Sequence, residues 1–478
     1  MKAHFIGLAG VGMSATAKLL RDAGWAVTGS DEAVYPPISH FLEKEKLTCL
    51  TPYAPSNIPA DADLIVIGKN AKLVPETNTE VAAAFKSGKR IASFPEILGE
   101  LSRDKDSVVV AGSYGKSSCA ALLAHILQSA GKDPSFFIGA VPLTPSTSSQ
   151  IGKGSLFVFE GDEYPSSNTD NRSKFLHLHP KHILLTPLAH DHVNIFPTIE
   201  LYLASFQQLV TLLPPQTPLI AAISGPLSKQ FLNTLKRPIV TYGVNEGEYQ
   251  AASITYGEND KTSFDIVYGG QKLCRVSTTQ LGEHSIENIV GCAAFLFSNK
   301  LVTPEAFSKA IASFKGVLRR LDKKSEKTTI PMYEGFGSSY DKARSAIAAV
   351  KRGFPKRNLV VIFEPHTFSW RSRDTLHWYD DVFMGAARTY VYQPAAQGAG
   401  THNQASHDDI MRRLKAANCN AVAITEPQEA LQRISNELQP NDVVLFLTSG
   451  DLGGLIETVP AFAEHKFPIT LDPASSAG

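Results

Sequence analysis

One junction constrains this 478-residue chain more than any other. The apolar run Val108-Val109-Val110-Ala111 passes directly into Gly112-Ser113-Tyr114-Gly115-Lys116-Ser117-Ser118, and an apolar-periodic stretch from Cys119 to Ser129 follows. A strand, a glycine turn and a helix in that order aim several backbone N–H groups and the positive helix end at one point, where phosphate oxygens bind. In such a loop Lys116 reaches the terminal phosphates of a nucleotide and Ser117 is placed to ligate Mg²⁺. The string ends in the GK[ST] form, but Val110 stands where the common GxxxxGK[ST] loop has its first glycine. The flanking strand and helix, more than the string, therefore support the phosphate-loop reading.

The strand-then-helix rhythm restarts three times, which predicts an α/β chain with parallel sheets and right-handed crossovers. A Rossmann-like N-terminal domain is expected over 1–104, closed by the polar stretch Ser102 to Asp106. A P-loop-type central ATPase domain follows over 105–317, with strands at Leu156 to Phe159 and His182 to Leu185 and a β-rich run from Ile239 to Val276. An α/β C-terminal domain is expected over 318–478, with strands at Leu359 to Phe363, Thr389 to Tyr392, Ala421 to Ile424 and Val443 to Leu447.

Charge narrows the partners. Lys plus Arg and Asp plus Glu both number 46, so the chain lacks the cationic excess of a dedicated nucleic-acid binder. The five cysteines, Cys49, Cys119, Cys274, Cys292 and Cys419, form no CxxC pair, which fits a reducing compartment. No apolar run nears 20 residues, so no membrane insertion is expected and a cytoplasmic location is.

A second glycine cluster, Gly7-Leu8-Ala9-Gly10-Val11-Gly12, also joins a strand to a helix, and Asp31 follows the next strand. Close backbone approach to a diphosphate needs glycine. The spacing is GxxGxG and not the GxGxxG of dinucleotide sites, so a nucleotide sugar satisfies it as well as NAD does. Gly10, Gly12 and Asp31 are the candidate ligand residues. In the central segment, the strand Leu156 to Phe159 ends in Glu160-Gly161-Asp162-Glu163-Tyr164, and the strand His182 to Leu185 leads to His190-Asp191-His192. Carboxylates and a histidine at neighbouring strand ends beside a phosphate loop compose a candidate metal–nucleotide site. Cys119 has no histidine neighbour in sequence and is expected to pack, not to react.

Taken together, Gly112 to Ser118, Asp162-Glu163, Asp191-His192, His284-Ser285-Ile286-Glu287-Asn288 and Arg319-Arg320-Leu321-Asp322 resemble, in order, the motifs of the Mur ligase family. That resemblance implies three domains and an ATP-dependent amide ligase that uses Mg²⁺ and an acyl-phosphate intermediate. It implies Lys116 on the β/γ-phosphates, Ser117 and Glu163 on Mg²⁺, His192 on a second metal, and Asn288 and Arg320 on the nucleotide. Gly112, Ser113, Gly115 and Ser118 complete the phosphate loop. Two branches of the family take UDP-N-acetylmuramate, one adding L-alanine and the other the murein tripeptide L-alanyl-γ-D-glutamyl-meso-diaminopimelate in peptidoglycan recycling. Val34-Tyr35-Pro36-Pro37 and Arg172-Ser173-Lys174-Phe175 are similar to the tripeptide branch, which is the expectation; Glu364-Pro365-His366 looks more like the alanine branch.

The chain also departs from the family pattern. Glu334 to Tyr340 lacks the aspartate, histidine and proline of D(F/Y)AHxP, and Ser285 replaces the first asparagine of HNxxN. Weak ATP binding, recoverable by Gly335→Asp with Ser338→His, is expected on that basis. A non-catalytic nucleotide-sugar binder and a dinucleotide-dependent oxidoreductase are the competing classes.

Overall fold

The computed structural model describes every residue except 36–37, 191–194, 258–260, 394–403 and 470–478. The β-prone runs assemble into three separate sheets, in agreement with the expected α/β class. In the first, the opening strand Lys2–Ile6 lies centrally between Ala26–Ser30 and Leu64–Ile67, with Thr48–Leu50 and Arg90–Ala92 outermost, all parallel. Parallel strands carry helices on both faces, and the strand interiors are accordingly apolar: Phe5, Ile6, Ile65 and Val66 are fully buried.

The second sheet has ten strands. Its strand Asp106–Ala111 runs parallel between His182–Leu185 and Leu156–Glu160. That placement brings the ends of three strands to one sheet edge: the phosphate loop, the acidic Glu160 to Glu163 turn and the Thr186 segment. The helix after the loop begins at Lys116 and not at Cys119, so the lysine and both following serines belong to its first turn. The third sheet covers Arg320–Lys323, Met332–Phe336, Asp442–Thr448, Asn358–Phe363, Arg388–Tyr392 and Ala421–Ile424, in that spatial order, and only its first edge strand is antiparallel.

The chain forms two compact units. The first contains residues 1–254, 263–278 and 284–314; the second contains 255–262, 279–283 and 315–478. The first two sheets share one unit because they share a core: Ala15, Leu19 and Leu98 pack in the same buried cluster as Phe137, Phe157, Phe159 and Phe175. Each large apolar side chain removed from water there contributes roughly 1.5–3 kcal/mol. The contact is close enough to require glycine at one point, since a Cβ on Gly99 would meet the His177 carbonyl oxygen at 2.1 Å.

Within the first sheet's layer, one polar network is centred on a fully buried carboxylate. The Glu80 carboxylate takes His4 Nε2 at 2.8 Å, the Ser30 hydroxyl at 2.7 Å, the Ala54 N–H at 2.8 Å and the Asn57 amide at 3.0 Å. Both His4 and Glu80 are 0% exposed. Burial pushes the Glu80 carboxyl up, but the four donors outweigh it and hold it below the usual carboxylate range. A carboxyl whose folded value is depressed adds stability above its unfolded value and loses it as pH falls through the folded one. Glu80→Gln is therefore expected to lower stability by about 3–5 kcal/mol at pH 7 and to flatten the acid limb of the stability profile. Urea midpoints from pH 7 down to pH 3 check this; parallel profiles for the two proteins would contradict it.

Candidate active site

The phosphate loop takes its shape from two glycines that nothing else could replace. Gly112 has φ +136° and lies against Thr186, whose hydroxyl would meet an added Cβ at 2.2 Å. Gly115 caps the helix Lys116–Ser129 in the left-handed region, φ 87°, and a Cβ there would meet Asn288 Oδ1 at 2.3 Å. Ser113 ties the loop to the neighbouring strand end: its hydroxyl bonds the Ala189 carbonyl at 2.7 Å and the Tyr202 hydroxyl at 2.6 Å.

The helix start then delivers two side chains to the acidic strand end. Lys116 Nζ donates to the Gly112 carbonyl at 2.6 Å and to both Glu163 oxygens at 3.1 and 3.2 Å. Ser117 donates to Glu160 Oε1 at 2.7 Å, while Glu160 Oε2 accepts the Gly139 N–H at 2.7 Å. The sequence singled out Glu163 as the carboxylate beside Ser117, but the serine's own partner is Glu160, the last residue of its strand. Ser118 lies in the same first helical turn, half-buried. Asp162 binds Lys174 Nζ at 2.6 Å; burial pushes its carboxyl up, but the Lys174 charge and its hydrogen bond hold it below the ordinary range.

Lys116, Glu160, Asp162, Glu163 and Lys174 line a cavity of about 420 Å³ together with Gly10, Gly12, Lys69, Phe94 and Tyr164. The first sheet's glycine loop and the lysine that follows the central sheet's glycine loop thus face the same space. Asp31 does not line it. Its carboxylate accepts the Ala9 N–H at 2.8 Å and the Tyr53 hydroxyl at 2.9 Å, so it braces the first glycine loop from behind. Lys69 and Lys174 were not assigned to the site from sequence. For Lys69 the one signal was its position two residues beyond the strand Leu64–Ile67.

Asn288, in the helix Glu283–Ser298, is 5% exposed and abuts Gly115, although the two lie far apart in sequence. The Cys119 thiol points at its Oδ1 at 3.4 Å. Burial pushes that thiol well up, which keeps it protonated and inert. His192 and Asp191 lie outside the described residues; the preceding His190 bonds the Phe196 carbonyl at 2.8 Å. Among the described residues no group of three or more His, Cys, Asp and Glu side chains could hold a metal on its own. The donor set is nonetheless the hard-oxygen kind that Mg²⁺ shares with phosphates and water: a serine hydroxyl with carboxylates beside it.

Arg320 belongs to the second unit, where it is exposed and its guanidinium lies 5.1 Å from the Phe336 ring centre. Its neighbour Arg319 reaches the Ser449 and Gly450 carbonyls at 3.4 and 3.1 Å and Glu334 at 3.3 Å. The expected repair of the Glu334 to Tyr340 segment meets an obstacle at this strand. Gly335 sits in the regular strand Met332–Phe336, and its Cβ direction points at Leu447, Ala346 and Leu321. Glu334, on the opposite strand face, is bound to Lys324 at 2.8 Å. Aspartate at 335 would enter an apolar layer and not a ligand site, because the strand does not bend to bring that face round.

Two family models match the chain: "Mur ligase family, catalytic domain" over residues 2–106 and "Mur ligase middle domain" over 110–296. The UDP-N-acetylmuramate–L-alanine ligase of Hydrogenobaculum sp. is 28% identical over 454 residues, covering 95% of this chain and 96% of that one. The UDP-N-acetylmuramate–L-alanyl-gamma-D-glutamyl-meso-2,6-diaminoheptandioate ligase of Escherichia coli is 31% identical over 466 residues, covering 95% and 96%. Among the matching relatives the alanine-ligase name is the commoner. The crystal structure of the UDP-N-acetylmuramate–alanine ligase of Thermotoga maritima shares the fold, with TM-score 0.76 at 21% identity over 98% of this chain and 99% of that one.

The loop geometry makes a direct prediction. Gly115→Ala combines a left-handed backbone, about 1–2 kcal/mol for an alanine, with a clash on Asn288. We expect a lower melting temperature and at least a tenfold weaker ATP affinity by calorimetry, whereas Gly131→Ala, left-handed at φ 70° in open space beyond the same helix's far end, lowers the melting temperature alone. Equal ATP affinity in the two variants would contradict the loop assignment.

Proposed function

The chain belongs to the Mur ligase family of ATP-dependent acid–amino-acid ligases, and on that premise we propose that it activates the lactyl carboxylate of UDP-N-acetylmuramate and joins it to an amine. The observation that carries this reading is the shared cavity, which is lined at once by a nucleotide-sugar-type glycine loop and by the phosphate-loop lysine. A carboxylate is a poor electrophile at neutral pH. Transfer of the ATP γ-phosphoryl group to its oxygen releases ADP and yields an acyl phosphate; the amine nitrogen then attacks the carbonyl carbon, phosphate leaves and the amine gives up a proton. Such transfer depends on positioning and charge neutralisation more than on covalent help from the protein.

In this reading Lys116 leaves Glu163 for the β/γ-phosphates. That exchange frees the Glu163 carboxylate, and Glu163 with Ser117 would hold Mg²⁺, which neutralises phosphate charge when bound. Glu160 accepts the hydrogen bond of the Ser117 hydroxyl, which leaves the serine's lone pairs available to a cation. Asn288 supports the loop and the nucleotide, and the expected nucleotide role of Arg320 and second-metal role of His192 stand as proposals. Gly10 and Gly12 give the diphosphate a close backbone approach, which Asp31 maintains through the Ala9 N–H.

For the amine, L-alanine is the better-supported acceptor, because the relatives that match most often bear that name. The tripeptide is kept as a second reading on one observation: the relative that is 31% identical over nearly its whole length is a tripeptide ligase. The values of kcat/KM for L-alanine and for L-alanyl-γ-D-glutamyl-meso-diaminopimelate, at saturating ATP and UDP-N-acetylmuramate, decide between them. A larger value for the tripeptide would reverse that order. For either amine, Lys116→Ala is expected to fold normally and to lose about 10²–10³-fold in phosphate release, the usual loss for one transition-state charge contact. Near-wild-type turnover would remove the lysine from the reaction.

A further inference from the structure

Six charged side chains line the cavity: Lys69, Lys116, Lys174, Glu160, Asp162 and Glu163. Four of them pair off, Lys116 with Glu163 and Lys174 with Asp162. Glu160 is occupied by the Ser117 hydroxyl and the Gly139 N–H. Lys69 is left over. Among the described residues it makes no hydrogen bond and no ion pair. Partial desolvation at the cavity wall, and then the nearby charge of Lys174, push its ammonium below the usual lysine range, with Asp162 offsetting only part of that. Two ammonium groups, Lys69 and Lys174, thus converge on the one carboxylate of Asp162, which Lys174 already occupies.

The place is one where α/β sheets bind ligands. Across the first sheet the strands run Thr48–Leu50, Ala26–Ser30, Lys2–Ile6, Leu64–Ile67, Arg90–Ala92, so chain order reverses between Lys2–Ile6 and Leu64–Ile67. A crevice opens at such a switch point, at the carboxyl ends of the strands. Gly10 and Gly12 follow one of these two strands and Lys69 follows the other by two residues, and all three line the same cavity. The Lys69 segment is also held in place. The Asn168 side-chain amide, from the central sheet's loop, donates to the Asn70 carbonyl at 2.8 Å and the Leu73 carbonyl at 3.0 Å.

We propose that Lys69 is a donor-binding residue whose ammonium takes the diphosphate of the nucleotide sugar lying against Gly10 and Gly12. The inference rests on the proposed binding of a UDP-sugar at this cavity. The lactyl carboxylate has to lie by the phosphate loop to receive a phosphoryl group, where Lys116 already supplies positive charge. The diphosphate is the remaining anion of the donor, and Lys69 is the remaining cation of the cavity.

The test uses the full chain and two ligands, UDP and UDP-N-acetylmuramate, titrated calorimetrically into the natural protein, Lys69→Ala and Lys69→Arg. Lys69→Ala should weaken both ligands by the same factor, about tenfold for one charge-assisted contact. It should raise KM for UDP-N-acetylmuramate with kcat and the KM for ATP unchanged, as the loss of uniform binding does. Lys69→Arg should keep most of the affinity. Because Lys69 is exposed at the surface of its loop, neither variant is expected to shift the melting temperature. Weakened UDP-N-acetylmuramate with unchanged UDP would put the ammonium on the sugar or lactyl side and overturn the diphosphate assignment. Unchanged affinity for both would overturn the role of Lys69 while leaving the donor reading intact. If the natural protein binds neither ligand, the donor reading fails and this inference fails with it.

Discussion

The absence of a side chain at two positions holds the site together. Gly112 and Gly115 let the backbone after Ala111 press against Thr186 on one side and Asn288 on the other, closer than any Cβ allows. Everything chemical follows from that approach. The helix starts at Lys116, the lysine and Ser117 come down on the carboxylates that end the adjacent strand, and Ser113 locks the loop to Ala189 and Tyr202. Any larger residue would lift the loop off its bed and separate Lys116 from the carboxylate that now lies 3.1 Å away.

Two of the cavity's three lysines are balanced by carboxylates within the protein and not by solvent. Lys116 is satisfied by Glu163 and Lys174 by Asp162, so the resting site carries no bare cation at the phosphate loop. On the proposed reading a nucleotide has to replace a carboxylate for Lys116, which sharpens selection for polyphosphate over a single weak anion: only a strong, multiply charged ligand competes with a buried carboxylate at that distance.

Much of this was legible in the sequence because it is local. The run of four β-prone residues, the glycine turn and the periodic helix can be read in one window, and the strands His182–Leu185, Ala421–Ile424 and Asn358–Phe363 stand as apolar runs within a residue of their observed limits. What was missed depends on which strands become neighbours. The spacing puts the acidic turn at a neighbouring strand end but does not give the register of Leu156–Glu160 on Asp106–Ala111, so nothing distinguished Glu160 from Glu163 as the partner of Ser117. Lys69 was invisible for the same reason: one lysine in a polar loop looks like solvent-facing charge until the Gly10 loop and Lys174 are brought to it. The orientation of Gly335 needed the sheet as well, since only strand pairing reveals that its face is the apolar one.

The common core of the first two sheets has a consequence for timing. Ala15, Leu19 and Leu98 pack with Phe137, Phe157 and Phe159, and Asn168 ties the two sheets' loops together, so the glycine loop and the phosphate loop are spaced by folding itself. A pair of ligands docked on them loses relative motion before any bond changes, and the encounter behaves like a reaction within one molecule. Effective concentrations in well-oriented intramolecular systems reach about 10⁵ M and above. On that view a truncation in the shared core at a residue that does not line the cavity, such as Leu19→Ala, slows turnover by loosening a distance.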